Sequence, residues 1–276
     1  MPHLLNFYRK LFNDIILKTL FGRRIDLFSG EVKVIEYKDF PEGLKIICGL
    51  PDVGLVGSIA AAHIISKLNL KEVAYIETDL LPPIIMLENG LPRTPIRIFM
   101  GDGIAVLNSE IAIPSDAIYP VIRGIINWVW KKKIDKIFTL SGLPVPNRHE
   151  LEKIRIFGAA SNDAMIKVLK ENEVEIIERG FLVGPQALIL KYCVERNIPA
   201  ITLLAETFYN YPDPEASSVV IRALNRIANM NVDVSELVEK GEEVRLTMRD
   251  MMRRTQAELA KMRKSHEYDV PGFYIR

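Results

Sequence analysis

The chain has 276 residues, 49% of them hydrophobic, and 36 Lys plus Arg stand against 35 Asp plus Glu. That composition excludes a disordered, charge-dominated polymer and allows one large packed core with appendages. The net charge of +1 excludes a bulk polyanion binder, so no nucleic-acid partner is expected.

Residues 1–30 form a first appendage. Leu4, Phe7, Tyr8, Leu11, Ile15 and Phe21 recur mostly at three- or four-residue spacing, with Arg9, Lys10 and Lys18 at polar positions. This pattern predicts an amphipathic helix, and residues 1–24 carry a net +4. Its large apolar side chains favour protein contact over a membrane surface.

From residue 31 to 230, apolar runs of strand length alternate with helical stretches, predicting an α/β body. Strands are expected at 32–37, 44–48, 72–77, 136–140, 174–177 and 198–204, and helices at 58–68, 115–133, 161–172 and 186–197. Runs with little alternation suit strands covered on both faces, and strand–turn–helix–strand predicts a right-handed parallel crossover. The segment from Ile84 to Ile113 breaks the theme. It has no helical pattern but carries Asn89-Gly90 and Gly101-Asp102-Gly103, which predict hairpins of an inserted β-meander.

Residues 231–267 form a second appendage. Val244, Met248, Met251, Leu259 and Met262 fall on one stripe, interrupted upstream by Gly241, so a long helix or a broken pair is expected. Residues 244–264 carry a net +5, which leaves −8 for the chain outside the two basic ends. With arginines beside it, the stripe is the candidate oligomer seam. Residues 268–276 complete the chain as a flexible tail.

Gly49-x4-Gly54-x2-Gly57 is the most pointed motif. It fails as a phosphate loop because Leu55 and Val56 occupy the Lys and Ser/Thr positions, and the glycine spacing is wrong for a dinucleotide fingerprint. Asp52 inside the turn would repel phosphate. A tight turn that lets the helix pack closely on the sheet is the favoured reading. Asn147, Arg148 and His149 follow a later strand, where ligand sites of α/β sheets lie, so Asp52, Asn147 and Arg148 make a possible ligand loop. Neither Ser58 nor Ser141 sits in a nucleophile elbow. The histidines His3, His63, His149 and His266 form no ligand pattern, so neither a metal nor a cofactor is expected.

Cys48 and Cys193, the only cysteines, have no zinc-type spacing and read as core residues in a reducing compartment. No secretory leader pattern is visible. The longest stretch without Asp, Glu, Lys or Arg, Val53 to Ser66, is shorter than the roughly 20 residues of a spanning helix. A cytoplasmic location is the expectation.

Gly49-Leu50-Pro51-Asp52-Val53-Gly54-Leu55-Val56-Gly57-Ser58-Ile59-Ala60-Ala61-Ala62, with Glu72, Ala74, Pro82-Pro83 and Ser141-Gly142-Leu143-Pro144, resembles the archaeal branch of the proteasome assembly chaperone family. The resemblance covers residues 31–230. It implies a mostly parallel Rossmann-like, phosphorylase-like sheet with helices on both faces, acting through protein contacts without a catalytic centre. It also implies self-association and contact with proteasome α-subunits or a paralogous family member. Family tails of the form hydrophobic–tyrosine–any residue enter pockets between ring subunits. Phe273, Tyr274 and Ile275 fit that form, but Arg276 follows and shifts the terminal carboxylate by about 3.3 Å. The competing expectation is a hydrolase- or phosphorylase-like enzyme that takes a small anionic substrate at the strand edge.

Overall fold

The computed structural model describes residues 31–262. β1 (Lys33–Glu36) leads to β2 (Lys45–Gly49), α1 (Val56–Lys67) and β3 (Lys71–Glu77). Two hairpins follow, β4 (Met86–Glu88) with β5 (Leu91–Arg93) and β6 (Ile96–Gly101) with β7 (Ile104–Ser109). Their turns, Asn89-Gly90 and Asp102-Gly103, hold φ values of 52°, 78°, 49° and 76°. Two consecutive positive φ angles match the right-handed twist of the flanking strands. Both hairpins are where the sequence put them.

The chain continues through α2 (Ile118–Lys131), β8 (Lys136–Pro144), β9 (Ile156–Ala160), α3 (Asp163–Glu171) and β10 (Glu175–Ile176). It ends in α4 (Pro185–Glu195), β11 (Ala200–Thr207), α5 (Pro214–Ala228), α6 (Ser235–Glu239) and α7 (Gly241–Lys261). All strands except β4 and β5 join one nine-stranded sheet in the order β1-β3-β6-β7-β2-β8-β11-β9-β10.

The expected parallel arrangement occupies the centre, where β7, β2, β8 and β11 run side by side in one direction. The flanks differ. β1, β3, β6 and β7 pair antiparallel, as do β9 and β11. The two-residue turn between β6 and β7 forces the first reversal, and this hairpin inserts between β2 and β3. Those two strands keep the same direction without touching. β9 and α5 were not anticipated individually.

The sheet buries both faces. Within β2, Ile46 packs on one side with α2 and α4, and Ile47 on the other with α1 and α5. This explains why its run does not alternate. Cys48 and Cys193 share the first of these clusters, and burial pushes both thiols up, Cys193 to about 12.

The C-terminal appendage breaks at Lys240–Gly241 and packs on the body. Val244, Met248 and Met251 face the cluster formed by α1 and α5, beside the buried Met252. Leu259 is buried, and Met262 meets the opposite cluster. Each fully buried apolar side chain contributes about 1.5–3 kcal/mol. The stripe expected as an oligomer seam therefore packs in part on its own chain, with Val244, Met248, Met251 and Met262 left partly buried, because periodicity identifies an apolar face and not the surface that meets it.

Candidate functional site

The carboxyl ends of β2, β8 and β11 come together beneath the glycine-rich turn. Gly54 holds φ +62°, and a Cβ there would lie 2.2 Å from Thr207 Oγ1. A Cβ on Gly57 would lie 2.1 Å from the Leu140 carbonyl oxygen. The first glycine permits the backbone path, and the second lets α1 start against β8. Leu55 also takes a left-handed φ of 51°, held by complete burial. The turn is a packing device, as the sequence suggested.

Asp52 anchors it. Ser141 Oγ donates to Asp52 Oδ2 at 2.5 Å, and Gln186 Nε2 donates to the same oxygen at 2.6 Å. One carboxylate therefore ties the turn to β8 and to the first turn of α4. Ser141, Asp52 and Gln186 are all buried.

Arg148 is buried in a second clasp. Its Nε and Nη2 donate to the two oxygens of Asp213 at 2.9 and 3.2 Å, and Nη2 also meets Glu215 at 2.9 Å. The guanidinium lies 5.0 Å from the Phe208 ring centroid. Burial pulls Arg148 down, but hydrogen bonds and charge from Glu215 and Asp213 outweigh it and hold the group above its ordinary value. Asp213 does more than pair. It caps α5 by accepting from Ala216 N at 3.0 Å, accepts from Thr207 Oγ1 at 3.1 Å, and its backbone N–H donates to Gly54 O at 2.8 Å.

A third clasp lies at the end of β11. The buried Glu206 accepts from Arg155 N and Nε at 2.9 Å each and from Nη2 at 2.6 Å. The Arg155 guanidinium in turn covers Phe157 at 4.9 Å.

The ligand-loop residues thus share one edge but do not converge as a ligand set. Asp52 points into Ser141 and Gln186, Arg148 into Asp213 and Glu215, and Asn147 is exposed before a short 3-10 turn. Arg148 of the possible ligand loop is already paired with Asp213 and Glu215. Among the described residues no group of three or more His, Cys, Asp or Glu side chains is placed to hold a metal. His63 also has a structural role: its Nε2 meets Asp233 O at 2.7 Å and helps fix the C-terminal appendage to α1. Phe273, Tyr274, Ile275 and Arg276 lie outside the described residues, as do residues 1–30.

Sequence reasoning missed Asp213, Gln186 and Glu206. A signal was present for the first, since Asp213-Pro214 ahead of Ala216, Val220 and Leu224 is an N-cap with proline at the first helical position. Gln186 and Glu206 reach partners far away in sequence, which no local pattern marks.

Together, the mixed sheet, the packed glycine turn and the closed polar edge define an α/β domain whose carboxyl edge is an internally bonded layer. The chain belongs to the PAC2 family, which matches residues 46–252. It is 31% identical over 221 residues to the uncharacterized protein MJ0106 of Methanocaldococcus jannaschii, covering 80% of this chain and 90% of that one. Among solved structures, it is similar to Pyrococcus furiosus PbaA, an archaeal homolog of proteasome-assembly chaperone. The TM-score is 0.76 at 25% identity, over 82% of this chain and 98% of that one. P. furiosus PbaB, an archaeal proteasome activator, shares the fold at a TM-score of 0.69 and 23% identity, over 80% and 98% of the two chains. The family expected from residues 49–62 and 141–144 is therefore the family found.

Proposed function

We propose that this protein is an oligomeric, protein-binding assembly chaperone or scaffold that acts on the proteasome core particle or with a paralogous partner. The observation that carries the reading is the likeness to PbaA across 98% of that chain. The closed strand edge supports it, because the polar groups a small-molecule enzyme would offer to substrate are bonded to one another. No observation favours the competing enzyme, which would have to free Arg148 from Asp213 before using it.

On this reading the protein works in the cytoplasm, and the segment Phe273-Tyr274-Ile275-Arg276 is the docking tip for α-ring pockets, set about one residue too long for an ideal carboxylate contact. Among the described residues no helix is long and apolar enough to cross a membrane. Size-exclusion chromatography with light scattering, alone and mixed with 20S core particles or isolated α-subunits, tests the proposal. An oligomer that co-elutes with either, and loses that co-elution on deletion of residues 268–276, is the expected result. A monomer retained by neither and by no paralogue overturns it.

A further inference from the structure

A groove runs beside α7 at the carboxyl edge of the sheet, outside the closed polar layer. One wall is the loop of Asn210, Tyr211 and Pro212 that follows β11, and the other is α7 from Glu242 to Gln256. Two fastenings set its length. Arg245 Nε donates to Pro212 O at 3.4 Å, and Gln256 Nε2 donates to Asn210 O at 2.9 Å and to Asn210 Oδ1 at 3.1 Å. Arg245 and Gln256 lie about 16 Å apart along a helix that rises about 1.5 Å per residue. Between them loop and helix stand apart around a volume of about 750 Å³, within the range of ligand-binding clefts.

The loop wall is held from behind. Tyr211 meets the Phe208 ring edge-on at 6.2 Å, and the Arg148 guanidinium lies 5.0 Å from the same ring. The Asp213 backbone N–H donates to Gly54 O at 2.8 Å. The groove is therefore formed before a ligand arrives, and binding does not have to order the loop.

Its lining joins apolar surface to positive charge. Tyr211 is 65% exposed and Leu246 is 71% exposed, and Arg249 and Arg253 are exposed between the two fastenings. The carboxylates of the groove are engaged on α7 itself, Glu242 with Arg245 and Asp250 with Arg253 at 3.7 Å. An exposed pair of that length contributes little, so Arg253 can exchange its partner. Arg249 belongs to neither pair. Tyrosine and arginine on a preformed wall are the residue types that dominate protein contacts.

Leu246, Arg249 and Arg253 follow at three- and four-residue spacing, so they share one helix face, about 4.5 and 6 Å apart along the axis. An extended peptide presents every second side chain to one face at about 6.6–6.8 Å. Two carboxylates at alternate positions, followed by an apolar side chain two residues on, therefore register with Arg253, Arg249 and Leu246 in turn. Tyr211 covers them from the opposite wall. Three arginines against Glu242 and Asp250 leave the groove at only +1, which suits a short acidic peptide better than a polyphosphate backbone.

We propose that this groove binds an acidic peptide segment of a partner protein, with two carboxylates at alternate positions followed by an apolar residue. The groove is built wholly from residues 210–256, so it does not depend on the tail at 268–276 or on whether the partner is a proteasome subunit.

Fluorescence anisotropy of a fluorescein-labelled peptide, Gly-Glu-Ser-Glu-Ser-Leu-Gly, titrated with the full chain, tests it. Saturable binding that weakens with salt is expected. Replacing both peptide glutamates by glutamine is expected to weaken it about tenfold or more, and so is Arg249→Gln with Arg253→Gln in the protein. Arg123→Gln, at an exposed position of α2, is expected to change nothing. Arg249→Glu with Arg253→Glu should reject the acidic peptide and bind its lysine-for-glutamate counterpart, an exchange that an unfolded variant cannot produce. Absence of saturable binding by the unaltered chain overturns the proposal, as does equal binding by the double glutamine variant. A single-stranded oligonucleotide that binds through the same arginines more tightly than the peptide overturns it too, and would make the groove a polyanion site.

Discussion

Two buried arginines are used in opposite ways. Arg148 and Arg97 are equally hidden, each side chain 5% exposed. Arg148 makes a two-point contact with Asp213, which is fully buried. Arg97 instead shares itself among Glu72, Glu88 and Glu110, whose side chains are 17, 42 and 32% exposed. The first cluster closes a fold edge upon itself. The second pins one face of the β4–β5 ribbon onto the sheet. Placement of the carboxylates, rather than the arginine, decides which role results.

The largest expected effect breaks the closed cluster. Asp213→Ala leaves the buried Arg148 guanidinium with only the half-exposed Glu215 as partner and removes the α5 cap, and is expected to cost about 3–5 kcal/mol in urea unfolding. Asp213→Asn combined with Arg148→Met keeps a capping side chain and removes the charge, and should recover most of that loss.

Next in size is Gly57→Ala, which drives a methyl group into the Leu140 backbone. A loss of about 1–3 kcal/mol is expected in the same assay. Gly43, whose Cβ would meet nothing within 4 Å, provides the contrasting site, where any loss arises from its φ of +76° alone.

Arg97→Met is expected to cost less than Asp213→Ala, about 1 kcal/mol globally, because its carboxylates can regain water. Its signature is local: exchange at residues 84–93 should accelerate while the sheet interior does not. Equal global losses for the two arginine clusters would erase the distinction drawn above.

The smallest effect concerns α6. Hydrogen bonds from Lys67 and then Lys240 hold the Glu236 carboxyl at about 2, below its ordinary 4.5. A depressed folded-state value contributes stability that is complete above pH 4.5 and is lost as pH falls toward 2. Exchange across residues 235–239 should therefore rise in that window. The effect should shrink in high salt, since the pair is exposed.

Local chemistry made part of this legible in the sequence. Asn89-Gly90 and Asp102-Gly103 announce their turns because positive φ is a property of the residues themselves, and Gly49 and Gly57 announce close packing because they carry no Cβ. The closed cluster was not legible: Arg148 and Asp213 are 65 residues apart, and nothing near Arg148 indicates that its charge is already taken. The stripe on α7 shows the same limit, since spacing reveals an apolar face while its cover depends on the path of the whole chain. Strand order was hidden likewise, because the β6–β7 hairpin enters the sheet at a place no local pattern specifies.

That insertion also orders events in time. Lys45, early in the chain, pairs with Ile104 on one side and Lys136 on the other, so the central strand cannot be completed until much later segments arrive. The β6–β7 hairpin closes over a two-residue turn and can form in microseconds, whereas joining β2 to its neighbours requires long loops to close first. The folding nucleus this topology favours is the hairpin with β2 added to its side, and the final barrier is the docking of β8 and β11. The central strand β2 thus waits for β8, and β8 in turn waits for β11.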